Sequence, residues 1–74
     1  MTYNKWEKTY NTKHHKFYQL YKDNGTHIKI EWHFCGGYRI YIYTTNDGFL
    51  VKEQYASGTL TEVKKQALDL WSKL

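Results

Sequence analysis

The sequence has one cysteine, one arginine, and no segment apolar enough to cross a bilayer. Each shortage excludes something. A single cysteine, Cys35, cannot close an intramolecular disulfide, so the fold does not require an oxidising compartment. Arginine recognises phosphate and guanine through two parallel hydrogen bonds, and only Arg39 stands among eleven basic residues. Sequence-specific reading of duplex DNA is therefore disfavoured. A membrane helix needs about 20 consecutive apolar residues. With no such run, signal peptide or lipidation pattern visible, no membrane association is expected, and the expected location is cytoplasmic. Phosphate-loop glycine spacing, internal repeats and low-complexity segments are also missing. Seventy-four residues make one small domain, 1–74. A core of that size gives roughly 3–5 kcal/mol of net stability and leaves little room for a large cleft.

What is present is aromatic and mildly basic. Aromatics are 19% of the residues, eight of them tyrosines, and the formal charge is +4. Tyrosine and tryptophan carry a polar tip and tolerate a wet surface. The organising stretch is Thr26 to Thr45. Ile28, Ile30, Trp32 and Phe34 alternate with His27, Lys29, Glu31 and His33; then Tyr38, Ile40, Ile42 and Thr44 alternate with Arg39, Tyr41, Tyr43 and Thr45. Period-two alternation predicts two half-buried strands. A Cys35-Gly36-Gly37 loop, with Gly37 left-handed, would set Trp32 opposite Ile40, Ile30 opposite Ile42, and Glu31 opposite Tyr41.

Flanking elements follow by the same logic. His15 to Lys22 reads as a strand entering an Asn24-Gly25 turn. A two-residue turn would place Phe17 and Tyr21 inside; a three-residue turn would place Tyr18 and Leu20 there instead. The first is preferred. Beyond Asn46-Asp47-Gly48, the run FLVKEQYA is a further strand. Its expected register puts Val51 and Tyr55 inside, Lys52 opposite Tyr43, and Glu53 at an inner edge. Residues 1–14 are read as a short helix or an arm, because Tyr3, Trp6 and Tyr10 fall at helical spacing. Thr59 to Glu62 form a capping box, and Leu60, Val63, Ala67, Leu70, Trp71 and Leu74 make one helical stripe. The predicted fold is α+β, an antiparallel meander of three to four strands with a C-terminal α-helix on one face.

The other face is the candidate site. It is expected to carry Lys29, His33, Arg39, Tyr41, Tyr43 and Lys52, with Glu31 among them and Tyr18 joining under the preferred first turn. Contiguous exposed aromatic surface marks interfaces, and Tyr and Arg are enriched at binding hot spots. Glu31 and His33 share this face, but acid–base catalysis needs a shielded pocket, so no enzymatic activity is expected. His14, His15, His27, His33 and Cys35 do not sort onto one face in the expected register, with His15 near the inner side. No metal or other cofactor is expected.

Abundant Lys, Asn and Tyr, with no proline, give the chain a general resemblance to small accessory proteins of phages and mobile elements of AT-rich bacteria. Anti-CRISPR and other anti-defence proteins belong to that group. The resemblance implies a protein that binds and blocks a host or defence protein in the host cytoplasm. In strand order the chain also resembles the sheet-plus-helix modules of AP2 domains and integrase arm-binding domains. That resemblance implies DNA or RNA on the same open face.

Overall fold

The computed structural model describes residues 5–22, 26–44 and 49–73. Five strands, β1 (Trp6–Asn11), β2 (His15–Tyr21), β3 (His27–His33), β4 (Gly37–Thr44) and β5 (Phe49–Ala56), precede one helix, α1 (Leu60–Ser72). The strands form a single antiparallel sheet in chain order. The fold is α+β as predicted, with five strands rather than three to four.

The fifth strand is β1, where a helix or arm was expected. Trp6 pairs with Leu20 and Tyr10 with Phe17, and the register shifts between Lys8 and Tyr10. This bulge breaks the alternation, so Trp6 and Tyr10 fall on opposite faces despite their even spacing. Helical spacing was a coincidence of that irregularity. Thr12 closes the turn into β2: its hydroxyl donates to the His15 carbonyl at 2.9 Å and accepts from the His15 amide at 3.0 Å. Tyr3, the Asn24-Gly25 and Asp47-Gly48 turns, and Leu74 lie outside the described residues.

The central hairpin keeps its predicted faces with shifted partners. Its three-residue loop is Phe34-Cys35-Gly36, one residue earlier than expected, so Trp32 meets Tyr38, Ile30 meets Ile40, and Ile28 meets Ile42. Gly37 adopts the expected left-handed conformation, φ 76°. Phe34 leaves the inner face for the loop and is 56% exposed. A shift by two residues preserves which side each residue occupies.

The outer pairings shift by one, and there the faces exchange. Tyr18 pairs with Ile30 and Leu20 with Ile28, so the three-residue alternative holds; Phe17 and Tyr21 take the open side. In β5, Lys52 pairs with Ile42, Glu53 with Tyr41, and Tyr55 with Arg39. Tyr55 and Glu53 therefore lie on the open face, not inside. A bulge between Ile42 and Tyr43 leaves Val51 unpaired in the ladder.

Helix α1 crosses β3 and β4 on the inner face. Ile28, Ile30, Ile40, Ile42, Val63 and Ala67 are fully buried between them, with Leu20 and Tyr18 alongside. Ala67 has no bulk beyond Cβ, which suits a helix lying close to the four isoleucines. Thr59 caps the helix, accepting from the Glu62 amide at 3.3 Å, and its hydroxyl donates to the Glu62 carboxylate at 3.2 Å. Gly58 precedes it at φ 110°, and a Cβ there would lie 2.8 Å from the same carboxylate.

Ile30→Ala is expected to cost about 2–5 kcal/mol, because the cavity sits where neither sheet nor helix can collapse onto it. That matches the whole net stability of a domain this size, so urea unfolding followed by circular dichroism should show a largely unfolded variant. Leu50→Ala, at an exposed edge position, should change the midpoint by less than about 0.5 kcal/mol.

Candidate functional site

Three strands with the right parity build the open face. Phe17, Gln19 and Tyr21 come from β2, His27, Lys29, Glu31 and His33 from β3, and Arg39, Tyr41 and Tyr43 from β4. The edge strands add Glu7, Tyr10, Glu53 and Tyr55. Among the described residues no helix or strand packs over this side. Of the predicted site residues, Lys29, His33, Arg39, Tyr41 and Tyr43 meet here. Lys52 does not, because its register places it beside Ile42 on the helix side. Phe17, His15 and Tyr55 join instead. Choosing the three-residue first turn would have found the first two. The sequence carries no signal for the β5 bulge that accompanies Tyr55's placement.

A polar chain runs across the strands. Glu31 binds His15 Nε2 at 2.6 Å through one oxygen and accepts from Tyr41 Oη at 2.7 Å through the other. Arg39 donates to Tyr41 Oη at 3.3 Å, pairs with Glu53 at 3.2 Å, and donates to the Tyr55 hydroxyl. Its guanidinium also lies 4.2 Å from the Tyr55 ring centre. Burial alone would raise the Glu31 carboxyl, but the hydrogen bonds from Tyr41 and His15, with the His15 and Arg39 charges, outweigh it and hold it below its ordinary value. Burial pushes the Tyr41 phenol up, and donation to Glu31 pushes it further. The hydrogen bond to Tyr41 raises Arg39. Both Glu31 oxygens are thus committed to neighbours, which suits a fixed surface better than a proton carrier.

Rings fill the space between the polar groups. His27 stacks on Tyr43 at 4.6 Å and 11°, Tyr43 lies 6.4 Å from Tyr41, and the Phe17 ring centre is 4.7 Å from that of His15. Lys29 Nζ sits 4.2 Å over Phe17 and 5.9 Å from Tyr41. Cations over ring faces are attracted by the ring quadrupole. Beside Arg39, a shallow depression of about 270 Å³ is lined by Glu31, His33, Gly36, Gly37, Tyr38, Arg39 and Tyr55.

Charge on this face is nearly balanced, with one carboxylate in excess. Lys29 and Arg39 face three carboxylates, Glu7, Glu31 and Glu53. The chain's positive excess therefore lies elsewhere. His15, His27 and His33 do share the face, contrary to the expectation that His15 lies near the inner side, and the His15 and His33 ring centres are 5.5 Å apart. Even so, among the described residues no three His, Cys, Asp or Glu side chains converge on a metal position. Cys35 is exposed at the hairpin tip, where its amide donates to His33 Nδ1 at 3.2 Å.

Comparison with protein families, with characterised proteins and with solved structures yields no match. Function has to be argued from the face itself.

Burial, and secondarily the neighbouring Lys29 charge, hold His27 below its ordinary 6.5. A depressed histidine favours the folded state when neutral, so this stability is complete above the unfolded value and is lost as pH falls through the folded one. The depressed Glu31 acts with the same sign at lower pH. The melting temperature should therefore rise with pH up to His27's ordinary 6.5, and His27→Gln should flatten the part just below that value while sparing the part below Glu31's ordinary 4.5. Thermal melts across that range check it; an unchanged slope in His27→Gln would refute the assignment.

Proposed function

We propose that the protein is a non-enzymatic binding module that docks its open sheet face on another protein and blocks it. One observation carries the reading: a layer of half-buried and exposed rings, several of them fixed by hydrogen bonds, lines the open face with nearly balanced charge. Fixed Tyr side chains lose little entropy on docking, and Tyr and Arg dominate binding hot spots. Strands about 4.8 Å apart and seven residues at about 3.3 Å give a flat footprint of roughly 20 by 23 Å. Its projected area, about 460 Å², is a little over half of the roughly 800 Å² per partner of a standard interface. The compositional resemblance to phage and mobile-element proteins makes a host or defence protein the natural target, blocked in the host cytoplasm as an anti-CRISPR-like inhibitor would. Charge balance favours protein over DNA or RNA as the occupant of this face, since phosphate binding needs a net positive surface.

The test begins with affinity capture from bacterial lysate and mass spectrometry, followed by calorimetric titration of the captured partner. Tyr55 is 67% exposed and supports no core residue, so Tyr55→Ala reports on contact rather than folding. It is expected to weaken binding at least about tenfold, as a hot-spot truncation does. Lys52→Ala, on the helix side, should leave affinity within about twofold, as substitutions outside hot spots do. A partner indifferent to Tyr55→Ala and Arg39→Ala would overturn the proposal.

A further inference from the structure

The missing positive charge collects beside the helix. On the inner side of β1 and β2, Lys8 pairs with Tyr18 and Lys16 with Trp32. Lys8 Nζ lies 5.7 Å from the Tyr18 ring centre and Lys16 Nζ 5.3 Å from that of Trp32. From the helix, Lys64 reaches the same place, 5.6 Å from Trp6 and 5.9 Å from Tyr18. Two ammonium groups thus converge on one tyrosine, with a third two residues along the strand.

No ion pair among the described residues engages Lys8, Lys16 or Lys64. The described acids are committed elsewhere. Glu7, Glu31 and Glu53 lie on the opposite face. Glu62 caps the helix and Asp69 pairs with Lys73. Like charges gathered without a counter-charge repel one another, and an external polyanion relieves that repulsion. Trp32 adds a second requirement. It is half-buried and lies outside the set of side chains packed on the core, so part of its indole remains open next to Lys16.

We infer that this patch is a binding site for single-stranded nucleic acid, with Lys8, Lys16 and Lys64 on phosphates and Trp32 as a stacking surface for a base. Unstacked bases present faces that an indole can cover, whereas a duplex hides them. The site uses no residue of the tyrosine-bearing face, so either assignment can fail without the other.

Fluorescence anisotropy with labelled oligo(dT) and oligo(U) of about 15 nucleotides tests it. The expected result is binding whose logarithm falls with log salt at a slope of about −2, three lysines at roughly −0.7 each. Lys16→Gln with Lys64→Gln should weaken binding at least about tenfold at low salt. Trp32→Ala should weaken it about tenfold through lost stacking. Lys52→Gln with Lys73→Gln removes the same net charge away from the patch and should leave affinity within about twofold. Melting curves establish that each variant is folded; should Trp32→Ala fail to fold, the two lysine pairs still decide. Absence of binding at low salt overturns the inference. So does equal weakening by both pairs, or competition by duplex DNA or polyglutamate as strong as by unlabelled oligo(dT).

Discussion

Four isoleucines hold the protein together. Ile28, Ile30, Ile40 and Ile42 form a square on β3 and β4, and α1 closes over it with Val63 and Ala67. Burying such a side chain contributes about 1.5–3 kcal/mol, so this square outweighs any polar interaction in the molecule. A sheet alone or a helix this short alone would not persist in water. Once the square is sealed on one side, the alternation of β3 and β4 forces Lys29, Glu31, Arg39, Tyr41 and Tyr43 to the other. The open face is the obligatory reverse of the core.

How much of this could be read from the chain depended on contrast between the two sides of each strand. In β3 and β4 aliphatic residues alternate with charged and polar ones, so the inner face was legible even though every partner was displaced by two positions. In β2 both sides are aromatic: Phe17 and Tyr21 compete with Tyr18 and Leu20, and hydrophobicity alone cannot choose. The choice falls to loop length, and a difference of one residue reverses the strand. In β1 and β5 bulges break the period outright. Trp6 and Tyr10 then mimic a helix, and Lys52 and Tyr55 exchange sides. The helix was legible because its cap and stripe depend only on local spacing. The open face was legible in its centre and not at its margins, for the same reason.

The two surfaces of the sheet have separate electrostatic characters. On the open side Arg39 pairs with Glu53, Glu31 binds His15, and Lys29 lies over rings, so cations and carboxylates are interspersed. On the helix side Lys8, Lys16 and Lys64 stand over aromatic rings with no ion pair to them among the described residues. A net charge of +4 is thus not a property of the whole exterior. A blocking protein that also holds nucleic acid would be suited to targets that themselves carry a strand.

The sheet is braced unequally from one side to the other. At the tip, the Phe34 amide donates to the His14 carbonyl at 3.1 Å, tying the β1–β2 turn to the β3–β4 loop. Among the described residues β5 has no such backbone tie, and along it Leu50, Val51 and Tyr55 are exposed. Outside the ladder, Ala56 packs against the core at one end of the strand, and Arg39 contacts Glu53 and Tyr55 on the open face. As an edge strand, β5 is expected to exchange its amide hydrogens faster than the central strand β3. Arg39 is a hasp on an edge seam of the sheet, reaching from β4 to two side chains of the outermost strand.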